Sequence, residues 1–424
     1  MKLSVEQLAK QLEFVLGADS LITNPDGLAA HGIDGKQPKL ICRPESPEQI
    51  AVALRICAEA EAAVVPWGGG TALAIGNPPR QVDVVLTTHR LDRVLDHDHA
   101  NLTVTAQSGI TLSALQTSLA PQKQFAPLDA PFPDRSTIGG IVAANLNGAR
   151  RGYYGGVRDL VIGMKVALID GAHIKAGGKV VKNVAGYDMC KLFVGSLGTL
   201  GIITEATLRV APIPESAATI IAFGTLNQAQ RFSDELFRSS LLPASVFLLN
   251  DGTTEQWRLA VWNEGFEETT ARNLRDLTAI ANRIGAKAEI LQGENHNAFW
   301  SEIRDFPLQA NRLVFRVSLP RATIYEFLPT IRGWANVSIA SDMAMGTVWI
   351  AGEAKKSYAM RFSELASLAR QRGGHAVLFA APGELKQGIE VWGPSPPAFS
   401  LMREIKRQFD PNELLNPGRF LAGI

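Results

Sequence analysis

The feature that most restricts this chain is a glycine triplet set directly after a buried strand. Ala62-Ala63-Val64-Val65-Pro66 runs into Trp67-Gly68-Gly69-Gly70-Thr71-Ala72-Leu73. Three consecutive glycines leave backbone N–H groups unobstructed and allow φ > 0, so successive amides can converge on one anion such as a pyrophosphate. A flexible turn is the other reading of a lone triplet. The G-x-G-x-x-G spacing and downstream acid of a Rossmann fingerprint are absent, and no GK[ST] follows.

A second glycine segment reads Ser136-Thr137-Ile138-Gly139-Gly140-Ile141-Val142-Ala143-Ala144-Asn145. Two hydroxyls and bare amides at a helix N-terminus make an anion site; an N-cap before a tightly packed helix is the alternative. One ligand with two phosphates accounts economically for both loops. A third region joins Lys182-Asn183-Val184-Ala185-Gly186-Tyr187-Asp188 to Leu192-Phe193-Val194-Gly195-Ser196-Leu197-Gly198-Thr199-Leu200-Gly201-Ile202-Ile203-Thr204. Its spaced glycines permit close approach to a flat ring, or serve a packed helix-to-strand connection.

Around these segments the pattern predicts a helix through Ile50, Val52, Leu54 and Ile56 and strands over Val82–Leu86, Leu102–Ala106, Val161–Ile169 and Gly201–Val210. A helix is expected over Ser113–Leu119, and residues 126–156 read as loop-rich. Alternating elements of this kind give an α+β or α/β domain. Pro212 and Pro214 mark a boundary. Beyond it, helical stretches near 227–240, 267–285 and 321–332 alternate with strands such as Leu313–Ser318 and Thr347–Ile350. The domains expected are an N-terminal helical segment (1–36), a cofactor domain (37–215), an α/β cap on an antiparallel sheet (216–394), and a C-terminal helical tail (395–424) returning to the cofactor domain.

With 46% hydrophobic and 20% charged residues and a formal net charge of +1, the chain is neither disordered nor a bulk-electrostatic binder of nucleic acid. No apolar run is long enough to span a bilayer, and charges interrupt the N-terminal amphipathic helix, so a cytoplasmic location is expected. Cys42, Cys57 and Cys190 form no C-x-x-C pair and read as reduced structural thiols.

Taken together, the three glycine segments resemble the FAD-linked oxidase family with its PCMH-type (vanillyl-alcohol-oxidase-like) two-subdomain FAD-binding domain. The motifs that carry the likeness are P-x-GGGT, T-I-GG-x-x-A-x-N and K-N-x-x-G-Y-D…GS-x-GTLGIIT, with Phe409-Asp410-Pro411 and Asn416-Pro417-Gly418-Arg419 in the tail. Within the family, Arg150-Arg151-Gly152-Tyr153-Tyr154-Gly155-Gly156-Val157-Arg158-Asp159 and RLVFRVSLP (312–320) resemble the E subunits of bacterial glycolate oxidases. The resemblance implies FAD, oxidation of glycolate or related D-2-hydroxy acids, and a complex with a second flavin subunit and an iron–sulfur subunit. It assigns cofactor binding to Trp67, Gly68, Gly69, Gly70, Thr71, Ala72, Ser136, Thr137, Gly139, Gly140, Asn145, Gly198, Ile203 and Asn416. Membrane association through the complex also fits the resemblance.

Two departures from the family matter. No His or Cys lies in the 67–76 loop, where some relatives attach FAD covalently, so noncovalent FAD is expected. The paired histidines of the catalytic relatives' H-x-G-D-G-N-x-H-like segment are also absent; His375 in Gly373-Gly374-His375-Ala376 has no partner in the following residues. No proton-abstracting residue and no metal site are therefore assigned, and substrate oxidation is expected to rest largely on the partner flavin subunit. A self-sufficient 2-hydroxy-acid dehydrogenase and a non-catalytic, FAD-stabilised assembly subunit are the rivals.

Other polar residues have bland readings beside functional ones. His89, His97 and His99, near Asp92, Asp96 and Asp98, read as a solvated loop, and Asp170-Gly171 before His173 reads as a hairpin turn. Arg312 and Arg316 share a strand face and suit a carboxylate or an acidic partner, or else a surface salt bridge. Lys179, Lys182, Arg150, Arg151 and Arg158 suit the flavin mouth, a docking surface or a solvated face.

Overall fold

The computed structural model describes residues 3–178, 188–309, 311–331, 334 and 336–424. The chain packs as two units. The first comprises residues 1–146, 156–212 and 386–424, the second residues 147–155 and 213–385. The expected motif Lys182–Tyr187 and the residue Lys179 lie outside the described residues.

The first unit opens with the helix Val5–Leu16, whose Leu8, Leu12 and Leu16 recur at i, i+4 and are buried. Ser4 and Gln7 close a reciprocal capping box at its start. Ser46 caps the helix Pro47–Glu59, which buries Ile50, Ala53, Leu54 and Cys57 in the same core. These helices cover a four-stranded sheet ordered Leu21–Ile22, Leu40–Cys42, Val84–Thr87, Val64–Trp67. Its last three strands run parallel. Parallel strands buried on both sides read as continuous apolar runs, as Val84-Val85-Leu86 does.

A five-stranded antiparallel sheet follows, ordered Val94–Asp98, Thr103–Gln107, Ile202–Arg209, Val161–Ala167, His173–Gly177. The Asp170-Gly171 turn closes the hairpin between its last two strands, with Gly171 at φ 84°. His97 belongs to the strand Val94–Asp98, where a solvated loop was expected. The segment pairs with Thr103–Gln107, and His97 exchanges a hydrogen bond with Gln124 Oε1 (2.9 Å). Cross-strand pairing overrides the polar, turn-like composition there.

The second unit is an eight-stranded antiparallel sheet. Its order is Lys287–Gln292, Ser216–Gly224, Trp257–Gly265, Ser245–Asn250, Ser338–Asp342, Thr347–Glu353, Arg312–Ser318, His375–Ala380. The long helices expected from the sequence are Leu226–Arg238, Glu267–Arg283 and Ile324–Ile331. The architecture is α+β. The three cysteines are buried and unpaired, and burial pushes the Cys42 thiol up to about 12, which suits inert packing residues.

Candidate functional site

In the first unit the strand Val64–Trp67 delivers the glycine triplet to the rim of a cleft. Its walls are Pro66 to Leu73, Thr137, Gly139, Gly140, Ala143, Ala144, Leu197, Gly198, Gly201 to Ile203, Asn416 and Arg419. Segments distant in sequence thus meet on one cavity.

The triplet is glycine for reasons of space. A Cβ on Gly69 would lie 1.6 Å from the Arg135 carbonyl oxygen, and one on Gly68 would lie 2.2 Å from the Thr137 hydroxyl. The loop is therefore pressed onto the segment 135–137. Thr71 Oγ1 and Ser136 Oγ join the two by a 2.8 Å hydrogen bond. The amides of Gly69, Gly70, Thr71 and Ala72 donate to no protein acceptor among the described residues. A row of unpaired amides beside a cavity is the donor set that an anionic diphosphate satisfies.

The second glycine segment behaves differently from the expectation of bare amides at a helix start. It forms the helix Ile138–Ala144, capped by Thr137, whose hydroxyl accepts from Gly140 N (3.3 Å). The amides of Ile138 and Gly139 donate to the carbonyls of Ile110 (2.9 Å) and Ser108 (2.7 Å). Its donors are spent inside the fold, so it contributes glycine surface: a Cβ on Gly140 would meet only its own cap residue. Ser136 does not line the cleft; its hydroxyl also donates to the Pro131 carbonyl. Asn145 is also absent from the lining. It ends the helix in the left-handed conformation (φ 49°), where Asn is tolerated.

The opposite wall comes from Leu197–Ile203 and the tail. Gly198 sits at φ 69° against the Pro66 ring. The tail runs beside the glycine-bearing strand: Val64 N donates to Leu414 O and Asn416 N to Val64 O, both at 2.8 Å. Asn416 Nδ2 donates to Leu197 O (2.7 Å), while its Oδ1 is buried without a partner. An orphaned buried acceptor costs about 1–3 kcal/mol, and a hydrogen-bond donor on a cofactor would satisfy it.

The sequence reading left Arg419 without a role. It is 3% exposed, and its guanidinium donates to Asp34 Oδ2 (2.7 Å) and to the carbonyls of Leu73, Ile75 and Asn77. It fixes the loop that follows the triplet. Burial depresses its pKa, and the Asp34 carboxylate opposes that. Asp34 also pairs with buried Lys386 (3.2 Å). Arg158 is exposed in the first unit.

In the second unit, Arg150 pairs with Glu264 (3.3 Å), which also accepts from the Tyr154 hydroxyl. Arg312 donates to Ser338 Oγ and to the Ala351 carbonyl. Arg316 lies over the Trp349 and Phe379 rings, with Nε sealed from solvent and unpartnered. His375 begins the last strand. The other histidine of this unit, His296, stands in no motif of the sequence. It is buried on the helix Gly293–Asp305, hydrogen-bonds Thr219 (2.9 Å), and stacks edge-on against Trp262. Burial, assisted by Arg150, pulls it down to about 4, so it is a neutral core residue. No group of three or more His, Cys, Asp or Glu able to hold a metal occurs among the described residues.

Residues 38–177 match the model of an FAD binding domain, and residues 393–420 match that of the C-terminal domain of FAD linked oxidases. Both matched segments bring residues to the cleft. The protein is an FAD-binding flavoprotein. The fold agrees with solved structures of this type. The likeness to 4-ethylphenol oxidase from Gulosibacter chungangensis has a TM-score of 0.76 at 17% identity, over 98% of this chain and 97% of that one. With p-cresol methylhydroxylase the TM-score is 0.75 at 16% identity, over 98% and 96%. Among curated relatives, the chain is 27% identical to glycolate oxidase subunit GlcD of Bacillus subtilis, over 98% of this chain and 97% of the relative. It is 29% identical to glycolate oxidase subunit GlcE of Escherichia coli, over 85% and 93%, and 27% identical to D-lactate dehydrogenase of Archaeoglobus fulgidus, over 91% and 92%. The chain belongs to the FAD-linked oxidoreductases.

Proposed function

We propose that the chain acts in the oxidation of glycolate or a related D-2-hydroxy acid, as an FAD-binding subunit of a glycolate-oxidase-type complex. The reading is supported by similarity, along nearly the whole chain, to glycolate oxidase subunits. The partners it implies are a second flavin subunit and an iron–sulfur subunit. A cytoplasmic location goes with this reading; no helix among the described residues is long and apolar enough to cross a membrane.

Trp67 to Ala72 would hold the pyrophosphate, Gly69 to Ala72 through their free amides, with Thr137, Gly139 and Gly140 as the adjoining wall. Gly198, Ile203 and Asn416 would meet the ribityl chain or ring, and Ser136 and Asn145 would act indirectly by holding the loops. Among the described residues the cleft lining contains no His or Cys, which fits noncovalent attachment. Bound FAD would supply a two-electron carrier; the protein's part is to position it and exclude water.

The division of labour follows from the histidines. His296 is neutral and committed to Thr219, and His375 stands alone on its strand, so neither forms the pair that would abstract a proton or bind a metal. In this reading the chain relays electrons or supports assembly. The D-lactate dehydrogenase relatives favour the rival, a self-sufficient enzyme. Anaerobic mixing of the purified FAD-loaded chain with glycolate and with D-lactate, following the visible flavin band, separates the two. The expected result is a flavin that bleaches only after the partner subunits are added. Bleaching of the isolated chain within turnover time would make it a dehydrogenase on its own.

A further inference from the structure

Within the second unit lies a separate cavity, lined by residues that include Asn147, Arg151, Phe247, Arg304, Asp342 and Trp349. Asp342 ends the strand Ser338–Asp342 and is 4% exposed. Its Oδ1 accepts from the amides of Ala344 and Met345, both at 3.1 Å. Its Oδ2 has no protein partner among the described residues. Arg151 lies in a short helix held against the same turn: a Cβ on Gly152 would come within 3.2 Å of Met345 Sδ. Arg151 forms no ion pair among the described residues, whereas Arg304 is spent on Asp305 through contacts of 2.9 and 3.1 Å. The strands on either side of Asp342 give the cavity Phe247, Thr347 and Trp349, none of them charged. The cavity thus presents one guanidinium outside any ion pair and one buried carboxyl with a single oxygen uncommitted.

We propose that this cavity takes a small carboxylate, with Arg151 pairing the anion and Asp342, in its acid form, donating to the ligand's remaining oxygen. The choice of a 2-hydroxy acid as that carboxylate rests on the function proposed above; the anion site itself does not. Burial pushes Asp342 up to about 7, against the two amides and the Arg151 charge, which pull it down. An anion bound beside it disfavours the ionised form further. Binding therefore takes up a proton, and affinity falls as pH rises past neutrality. Arg151 and Arg304 are the other charged side chains that line the cavity, and Arg304 is held by Asp305.

The test is calorimetric titration of the full-length, FAD-loaded protein with oxalate, a carboxylate with no oxidisable C–H bond, and anaerobically with glycolate. Two buffers of different ionisation enthalpy report proton uptake. Wild-type affinity should fall about tenfold or more between about pH 6 and about pH 8.5. Asp342→Asn should bind with no pH dependence and no proton uptake, and Arg151→Gln should lose about tenfold or more at both pH values. Asp342→Asn keeps an acceptor for both backbone amides, and it carries the test if Arg151→Gln does not fold. Wild-type binding without pH dependence, or variants that bind as the wild type does, would overturn the assignment. Oxalate binding with this signature but no glycolate binding keeps the anion site and removes the 2-hydroxy-acid reading. Glycolate binding untouched by either substitution does the reverse.

Discussion

At the scale of single residues, the positions that matter are those whose chemistry is left incomplete by the protein. Asn416 is one: its amide nitrogen is committed to Leu197 and its oxygen to nothing. Asn416→Asp would place a carboxylate at that buried acceptor, and FAD affinity should fall by about tenfold, measured by fluorescence titration of the apoprotein. Asp342 is another. Its pKa is raised in the folded state by burial, so the folded protein binds more protons than the unfolded one between about pH 4 and about pH 7. Its contribution to stability is complete below the unfolded value and is lost as pH rises to the folded one. Asp342→Asn should therefore gain on the wild type across that window, by up to about 1.4 kcal/mol per pH unit, read from urea midpoints at each pH. The sequence shows that both residues exist, but not their incompleteness. A missing partner is a long-range property: Asp342 is defined by a turn, a neighbouring strand and a segment nearly two hundred positions away.

At the scale of elements, the local pattern placed part of the strands and helices, but not Ser216–Gly224, Ser245–Asn250 or Trp257–Gly265. Alternating or continuous apolar runs mark Val64–Trp67, Thr103–Gln107 and Ile202–Arg209 at nearly their observed bounds. The glycine triplet was legible as an anion loop or a turn, but not as a close approach to the Arg135 carbonyl beneath it. The helix Ile138–Ala144 was legible as a capped helix but not as a site without free amides, because Ile110 and Ser108, which occupy its donors, come from another loop. The link between the two loops is testable: Ser136→Ala removes the bonds to Thr71 and to the Pro131 carbonyl, and should weaken FAD binding several-fold while lowering the urea midpoint modestly, since each such bond is worth about 1 kcal/mol. The tail helix Phe399–Phe409 depends on a buried pair. Lys406 Nζ donates to Asp410 (2.5 Å), to Thr199 O (2.7 Å) and to Leu415 O (3.2 Å). Asp410→Ala leaves that ammonium buried without its counterion and should cost about 3–5 kcal/mol by urea denaturation.

At the scale of the molecule, residues far apart in sequence must converge before the cleft exists: the triplet, the 137–140 segment, the 197–203 strand entry and the tail. That convergence was not derivable from spacing; the family resemblance supplied it, and the matches over 38–177 and 393–420 agree with it. The same convergence predicts where a ligand acts. Saturating FAD at a hundred times its Kd adds about 2.7 kcal/mol to the unit that binds it. Hydrogen exchange should therefore slow most around residues 66–73, 197–203 and 414–419 when FAD is added.

The most direct measurement is the flavin content of the purified chain, alone and after incubation with FAD, beside that of Gly69→Ala. The substitution sets a Cβ 1.6 Å from the Arg135 carbonyl oxygen, so the loop must leave its place. The account predicts stoichiometric FAD in the wild type, released on denaturation because no covalent bond holds it, and a Gly69→Ala protein that folds but carries little. A colourless wild-type chain that takes up no FAD, or a variant that binds it as tightly as the wild type, would contradict the claim that this cleft is the cofactor site.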